Sequence, residues 1–417
     1  MLDALHAMAG GLVEELERRF PYAAALLSSV SGLRITDNGA EQSASEMESP
    51  RGIVFTIYDG QHFQELATSE LAPDALAGAV RAWAGPLRAH GDGPLLARAG
   101  DGAPAHGLRE AFATPLRSDP ARMPLAEKLA YVREVQRRGA GLDARIAQVR
   151  ASLFHETRES AYIGRGRLLE QRVTRTHLSY AMVATVNGQT AYHFMSQGGT
   201  YGMEGLHVTG EDLAHTAELA IKLTQARPIE PGEYDTITDP SVSGTIAHES
   251  FGHGTELDLF PKGRARAAHF VGKRVATPEL AMFDDPSQAG AFGSYFFDDE
   301  GELAHATQIL RDGVLILPIS DLASATFAAG AHTANGRRQD FTRKAYARMS
   351  NTFIGPGTTA PAEMLAQVER GIYVRAAESG IEDPMGWGVQ VTAHYGEEIA
   401  HGRLTGRLFA PVGITGY

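Results

Sequence analysis

The chain has 417 residues, 43% of them hydrophobic and 21% charged, with a net charge of −12. This is the composition of a globular protein long enough for two or three ordinary domains, and its acidity excludes a general nucleic-acid binder, which would carry a basic stripe. Cysteine is absent, so neither a disulfide framework nor a thiolate nucleophile is available within these residues, which fits a reducing, cytoplasmic setting. The first residues lack the basic region and apolar core of a signal peptide. No apolar run approaches the roughly 20 residues that cross a bilayer, so no membrane association is expected.

The chain opens on an amphipathic helix, with Leu2, Leu5, Met8, Leu12, Leu16 and Phe20 at helical spacing. Ile53–Tyr58 and Phe63–Ala67 read as strands on either side of an Asp59-Gly60 turn, and an Ala-rich helix follows over 74–84. Residues 88–123, rich in Gly, Pro and Ala, read as irregular connection. A helix over 124–138 carries the stripe Leu125, Leu129, Val132, Val135 and stops at Gly139 and Gly141. Strands dominate 146–207, and Asn187-Gly188 between two apolar runs is the strongest short-range hairpin signal. A helix over 211–224 leads to Pro228-Ile229-Glu230-Pro231-Gly232, the best linker in the chain. It divides an N-terminal α+β domain, 1–227, from a C-terminal domain, 228–417.

In the second half, Asp239-Pro240 predicts a helix start, since Asp caps well and Pro suits the first helical position. Asp312-Gly313 predicts another hairpin. A helix over 360–370 is expected to turn Met364, Leu365 and Val368 inward, and strands over 386–394 and 399–409 close the chain. The fold class is α+β, with a mixed N-terminal half and a β-rich C-terminal half.

The helix that starts at Asp239-Pro240 carries His248-Glu249-Ser250-Phe251-Gly252-His253. Neutral imidazole is the commonest nitrogen ligand of zinc, and a neighbouring glutamate can take a proton from an activated water. The spacing differs from the H-E-x-x-H of zincins by one residue. On a regular α-helix, i and i+5 diverge by roughly 140°. Both rings converge only if the helix widens into a π-type turn, and Gly252 is the natural place for the distortion. His248 and His253 are therefore the candidate metal ligands and Glu249 the candidate general base.

His248-Glu249-Ser250-Phe251-Gly252-His253-Gly254-Thr255-Glu256 resembles the signature of the TldD branch of the TldD/PmbA family (modulators of DNA gyrase, metallopeptidases). Asp298-Asp299-Glu300-Gly301, Asn335-Gly336-Arg337-Arg338, Met349-Ser350-Asn351-Thr352 and Arg370-Gly371-Ile372-Tyr373 resemble that family in order and separation. The resemblance implies a zinc-dependent peptidase of unfolded or small peptides, with His248 and His253 on Zn2+ and Glu249 activating water. It also implies a dimer, either a homodimer or a heterodimer with a TldE/PmbA-like subunit that lacks these residues. The family's third zinc ligand is a cysteine near the C-terminus, and this chain has none. Either a segment beyond Tyr417 supplies it or another group completes the site. His394, Glu256 and Asp258 are candidates, although a hydrogen-bonding role is the simpler reading of each. A silent assembly subunit and a peptide-maturation amidase are the alternative functions.

Other residues have two readings each. Arg337 and Arg338 would clamp a substrate carboxylate or form structural ion pairs. Asn351 would hold a peptide backbone or a turn, and Trp387 would line a pocket or simply pack. His207 and His215 are expected to face solvent, and the basic cluster Lys262-Gly263-Arg264-Ala265-Arg266 reads as solvated loop.

Overall fold

A computed structural model of the protein describes residues 2–91, 93 and 108–417. The N-terminal half comprises α1 (Leu2–Glu17), β1 (Tyr22–Asp37), β2 (Gln42–Tyr58), β3 (Phe63–Thr68), α2 (Pro73–Ala84), β4 (Arg109–Ala113), α3 (Leu125–Ala140), β5 (Ile146–Gly164), β6 (Arg167–Val186), β7 (Gln189–Gly199) and α4 (Gly210–Leu223). Its strands form one seven-stranded sheet in the order β3-β2-β1-β5-β6-β4, with β7 also on β6. All neighbours are antiparallel except β4, which runs parallel to β6.

β6 alternates buried and half-buried positions along most of its length, the two-residue period of a pleated strand. β1 differs, because Tyr22 to Leu27 are buried on both faces. Ala23, Ala25 and Leu27 join the core under α1 and α2, while Tyr22, Ala24 and Leu26 meet Phe297, Leu322 and Ala325 from the second half of the chain. The two halves thus share a core along this strand. Asn187-Gly188 and Asp312-Gly313 form the expected hairpin turns, all four residues at positive φ.

The second half comprises β8 (Asp235–Thr238), α5 (Pro240–Ala247), β9 (Met282–Asp284), β10 (Thr307–Arg311), β11 (Val314–Leu315), α6 (Leu322–Phe327), β12 (Gly336–Arg337), β13 (Tyr346–Ala347), β14 (Thr352–Ile354), α7 (Pro361–Ala366), β15 (Arg370–Asp383), β16 (Gly388–Ala400), β17 (Arg403–Phe409) and β18 (Val412–Gly416). A five-stranded sheet runs β17-β16-β15-β8, with β18 beside β16, and a smaller sheet runs β11-β10-β9-β14. α5 packs on β15 and β16, where Val242 enters the cluster of Ile372, Val374, Val391 and Ala393.

Several expectations are corrected. Part of 88–123 is strand: Arg109–Ala113 pairs with β6 through its backbone, although its side chains do not alternate in hydrophobicity. The remainder of that connection at 92 and 94–107 lies outside the described residues. α7 is only six residues long, buries none of them, and leaves Met364 40% exposed, because the chain must turn at 367–369 to enter β15. β16 continues unbroken to Ala400, and its turn falls at His401-Gly402.

His155 and His193 are buried inside the N-terminal half. Burial and the neighbouring Lys128 hold His155 down at about 4. Burial, with His394 and His215, holds His193 down at about 3. In the unfolded chain both would take up a proton near pH 6.5. Their contribution to stability is therefore complete above that pH and is lost as pH falls towards 4. Denaturant titrations at pH 7 and pH 5 should show each histidine costing about 1–2 kcal/mol at the lower pH. His193→Phe should shrink that difference, and an unchanged difference would mean His193 is not buried neutral.

Candidate metal centre

The site begins at the cap of α5. Asp239 Oδ1 accepts the Val242 N–H at 2.9 Å, and Oδ2 accepts the Ala376 N–H at 2.9 Å. One carboxylate therefore starts the helix and fastens it to β15. From His248 to Gly252 the helix widens into a π turn, in which the His253 N–H reaches the His248 carbonyl. Gly252 is needed there, because a Cβ would lie 2.2 Å from Met349 Sδ. The widened turn brings the two imidazoles to 4.6 Å between centroids at 85°. One donor atom from each of His248, Glu249 and His253 lies within 4.8 Å of the other two.

Each group is also held from behind. His253 Nδ1 lies 3.3 Å from Glu256 Oε1, and Arg348 Nη1 donates to Glu256 Oε2 at 3.1 Å. A carboxylate acceptor at Nδ1 fixes the ring and leaves Nε2 facing the site. The hydrogen bond to Glu256 raises His253, against its burial. Burial, with His253 alongside, lowers His248. Glu249 lies against Gly380 of β15, where a Cβ would come 2.3 Å from its Cγ. Burial raises the Glu249 carboxyl, and Glu382, close enough to share a hydrogen bond with it, raises it further. A carboxylate of elevated basicity suits proton abstraction at neutral pH. Two imidazole nitrogens are ligands that suit zinc, and the Glu249 carboxylate lies beside them as a base.

The imidazoles open on a cleft of about 510 Å³ lined also by Arg337, Arg343, Lys344, Tyr346 and Arg348. A larger hollow of about 670 Å³ lies between α4 and β17. Its carboxylates, Asp143 and Glu218, are already paired with Arg145 and Lys222, so it assembles no reactive constellation.

A profile of the PmbA/TldA metallopeptidase C-terminal domain matches residues 231–413, and one of the central domain matches 118–227. Together they cover more than two thirds of the chain. The chain belongs to the PmbA/TldD family. It is 30% identical over 266 residues to a metalloprotease of Methanothermobacter thermautotrophicus, covering 63% of this chain and 58% of that protein. It is 32% identical over 255 residues to a metalloprotease of Methanocaldococcus jannaschii, covering 61% and 56%. A zinc metalloprotease TldD homolog of Saccharolobus solfataricus is 27% identical over 163 residues, 39% of this chain and 36% of that one. The matches thus span less than two thirds of these relatives' own length.

Solved structures show the PmbA/TldD fold over the full chain. A modulator of DNA gyrase from Thermotoga maritima superposes with a TM-score of 0.80 at 16% identity, covering 100% of this chain and 92% of that one. TldE from Thermococcus kodakarensis gives 0.72 at 16% identity, covering 98% and 91%.

The other residues singled out in the sequence each have a defined place in this PmbA/TldD-family chain. His394 is buried in β16, with Nδ1 2.8 Å from Glu378 Oε1 and Nε2 2.7 Å from the Tyr192 carbonyl, so both ring nitrogens are engaged away from the centre. Glu256 stands behind His253, and Asp258 Oδ2 accepts from Lys262 Nζ at 2.8 Å. Arg338 is buried in an ion pair with Glu65 of β3, which joins the two halves. Arg337 donates to the Met349 carbonyl at 3.0 Å and lies over the Tyr295 ring, yet still borders the cleft. Asn351 holds the 285–294 loop through Asp285, Gly293 and Ser294. Trp387 packs between Phe251 and Phe270. His207 and His215 are exposed. Sequence reasoning missed Gly380 and Glu382, which lie more than 100 residues from the motif and reach it only because β15 passes beneath the π turn.

Proposed function

We propose that this chain is a zinc-dependent peptidase centred on His248, Glu249 and His253. The observation that carries the reading is the π turn, together with the approach of one donor atom from each imidazole and from the intervening carboxylate to within 4.8 Å of one another. Bound zinc would supply Lewis acidity towards water and the scissile carbonyl. His248 and His253 hold the ion, and Glu256 keeps the His253 ring aligned. Glu249 takes the water proton and later delivers it to the departing amine.

The cleft cations Arg343, Lys344 and Arg348 suit substrates that carry carboxylates, in a chain whose own charge is −12. Unfolded or small peptides with acidic side chains fit that surface, and the enzyme would act in the cytoplasm. No helix among the described residues is long and apolar enough to cross a membrane. We further propose a dimeric assembly, as a homodimer or with a TldE/PmbA-like subunit, on the strength of the fold shared with TldE.

The test uses the full chain, and the TldE-like partner where one is present. Unstructured peptides are incubated with wild type and with a His248→Ala/His253→Ala variant, and fragments and bound metal are quantified. The variant should lose one equivalent of metal and at least 10³-fold in cleavage. Cleavage at the wild-type rate by the variant would overturn the reading.

A further inference from the structure

We propose that Asp298, Glu300 and His332 form a second, buried cation site that takes a first-row divalent ion. It is separate from the peptidase reading and stands on different residues. Asp298 and Glu300 sit in the turn between β9 and β10, and His332 follows α6.

The two acids are held in fixed positions. Asp298 Oδ1 accepts the N–H groups of Glu300 at 3.0 Å and Glu302 at 2.9 Å, and its Oδ2 accepts the Gly336 N–H at 2.9 Å. Glu300 Oε2 accepts the Leu322 N–H at 2.6 Å and lies where a side chain at residue 336 would have to be, 2.0 Å from a Cβ built on Gly336. Asp298 Oδ2 and Glu300 Oε2, which accept one bond each, both keep a lone pair free.

His332 supplies the observation that points to a ligand. It is 2% exposed, and its Nε2 makes no hydrogen bond. That nitrogen lies 3.3 Å from Asp298 Oδ2 and 3.3 Å from Glu300 Oε2. A single N–H donates along its axis to one acceptor at about 2.9 Å. An atom aimed between two oxygens at equal, longer separations has the geometry of a ligand beside two other ligands. Metal–ligand bonds of about 2.0–2.1 Å in a tetrahedral arrangement set neighbouring donor atoms about 3.3 Å apart. One imidazole and two carboxylates, with no sulfur, select an ion such as Zn2+ or Mn2+.

The charge balance agrees. Glu302, 5% exposed, brings a third carboxyl to the cluster, 3.9 Å from His332 Nδ1. Three carboxyls gathered around one imidazole make a cluster whose negative charge a divalent ion would offset.

The site would be structural, because its ligands are buried and the cleft cations lie elsewhere. The 298–302 turn is clamped on the N-terminal sheet. Gln171 Nε2 donates to the Phe297 carbonyl at 2.9 Å, Arg167 Nη1 to the Gly301 carbonyl at 3.3 Å, and Arg158 pairs with Asp299 at 3.1 Å. An ion here would fasten that turn to the segment between α6 and β12 that carries His332.

The experiment uses the full chain with His248→Ala/His253→Ala, so that the first site is disabled. The protein is stripped with a chelator, equilibrated with Zn2+ or Mn2+, and its bound metal counted. One equivalent should remain after desalting, and the unfolding midpoint should rise on adding the ion. His332→Gln in the same background should weaken binding at least 100-fold. Crystals grown with Mn2+ or Co2+ should show an anomalous peak between the three side chains, which decides the matter even if His332→Gln fails to fold. No ion taken up, or an ion bound with no peak there, would overturn the proposal.

Discussion

Replacing Glu249 by Gln is expected to lower kcat for peptide cleavage by about 10²–10⁴-fold, the range a positioned general base contributes. The amide keeps the shape of the carboxylate, so metal held by His248 and His253 should remain at wild-type stoichiometry. Thermal stability should hold or rise, because the substitution removes a carboxylate that Glu382 repels. Three readouts therefore separate the roles: kcat falls, bound metal stays, and the melting temperature does not drop. Loss of metal would make Glu249 a ligand instead, and wild-type turnover would remove it from the chemistry.

A second large effect is expected from a residue with no reactive group. Gly380→Ala places a methyl carbon 2.3 Å from Glu249 Cγ and 2.5 Å from its Oε1, closer than nonbonded atoms approach. Gly380 lies within β15 at ordinary strand conformation, so alanine does not strain the backbone. The glutamate side chain is the part that can move. Displacing a base by about 1 Å is enough to cost roughly 10²-fold in rate. The expected outcome is a kcat loss of that order, with metal content and the circular dichroism spectrum preserved and KM little changed. If the Ala variant turns over normally, Glu249 is not positioned by this strand.

The candidate centre was legible where its determinants are local. The cap at Asp239-Pro240, the pair of histidines and the need for a widened turn near Gly252 all follow from residues within about four turns of one another, and the structure contains that cap and that turn. The Asn-Gly and Asp-Gly hairpins were legible for the same reason. Arg165-Gly166 and His401-Gly402 make equivalent turns with φ values of 52° and 68°, and 51° and 72°, but arginine and histidine carry no turn signal. β1 was illegible for a different reason. Its first six residues are buried on both faces, and a continuous apolar run has no period by which to separate strand from helix. Gly380, Glu382 and His332 meet their partners across long stretches of sequence, and only the packing of α5 on β15 and of the 298–302 turn on α6 brings them together.

The π turn at His248–Gly252 is in effect an α-helical turn with one residue added. Spacing rules for metal sites on helices assume one helix type, and they pass over a chain in which the extra residue is absorbed by a wider rung. The quantity that such a site keeps constant is the direction of the two rings, and sequence spacing is only its shadow. A deletion of Ser250 would recreate the zincin spacing in the sequence, yet here it would draw Gly252 away from Met349, which packs against it. In this fold, insertion length is as much a part of the active-site chemistry as residue identity.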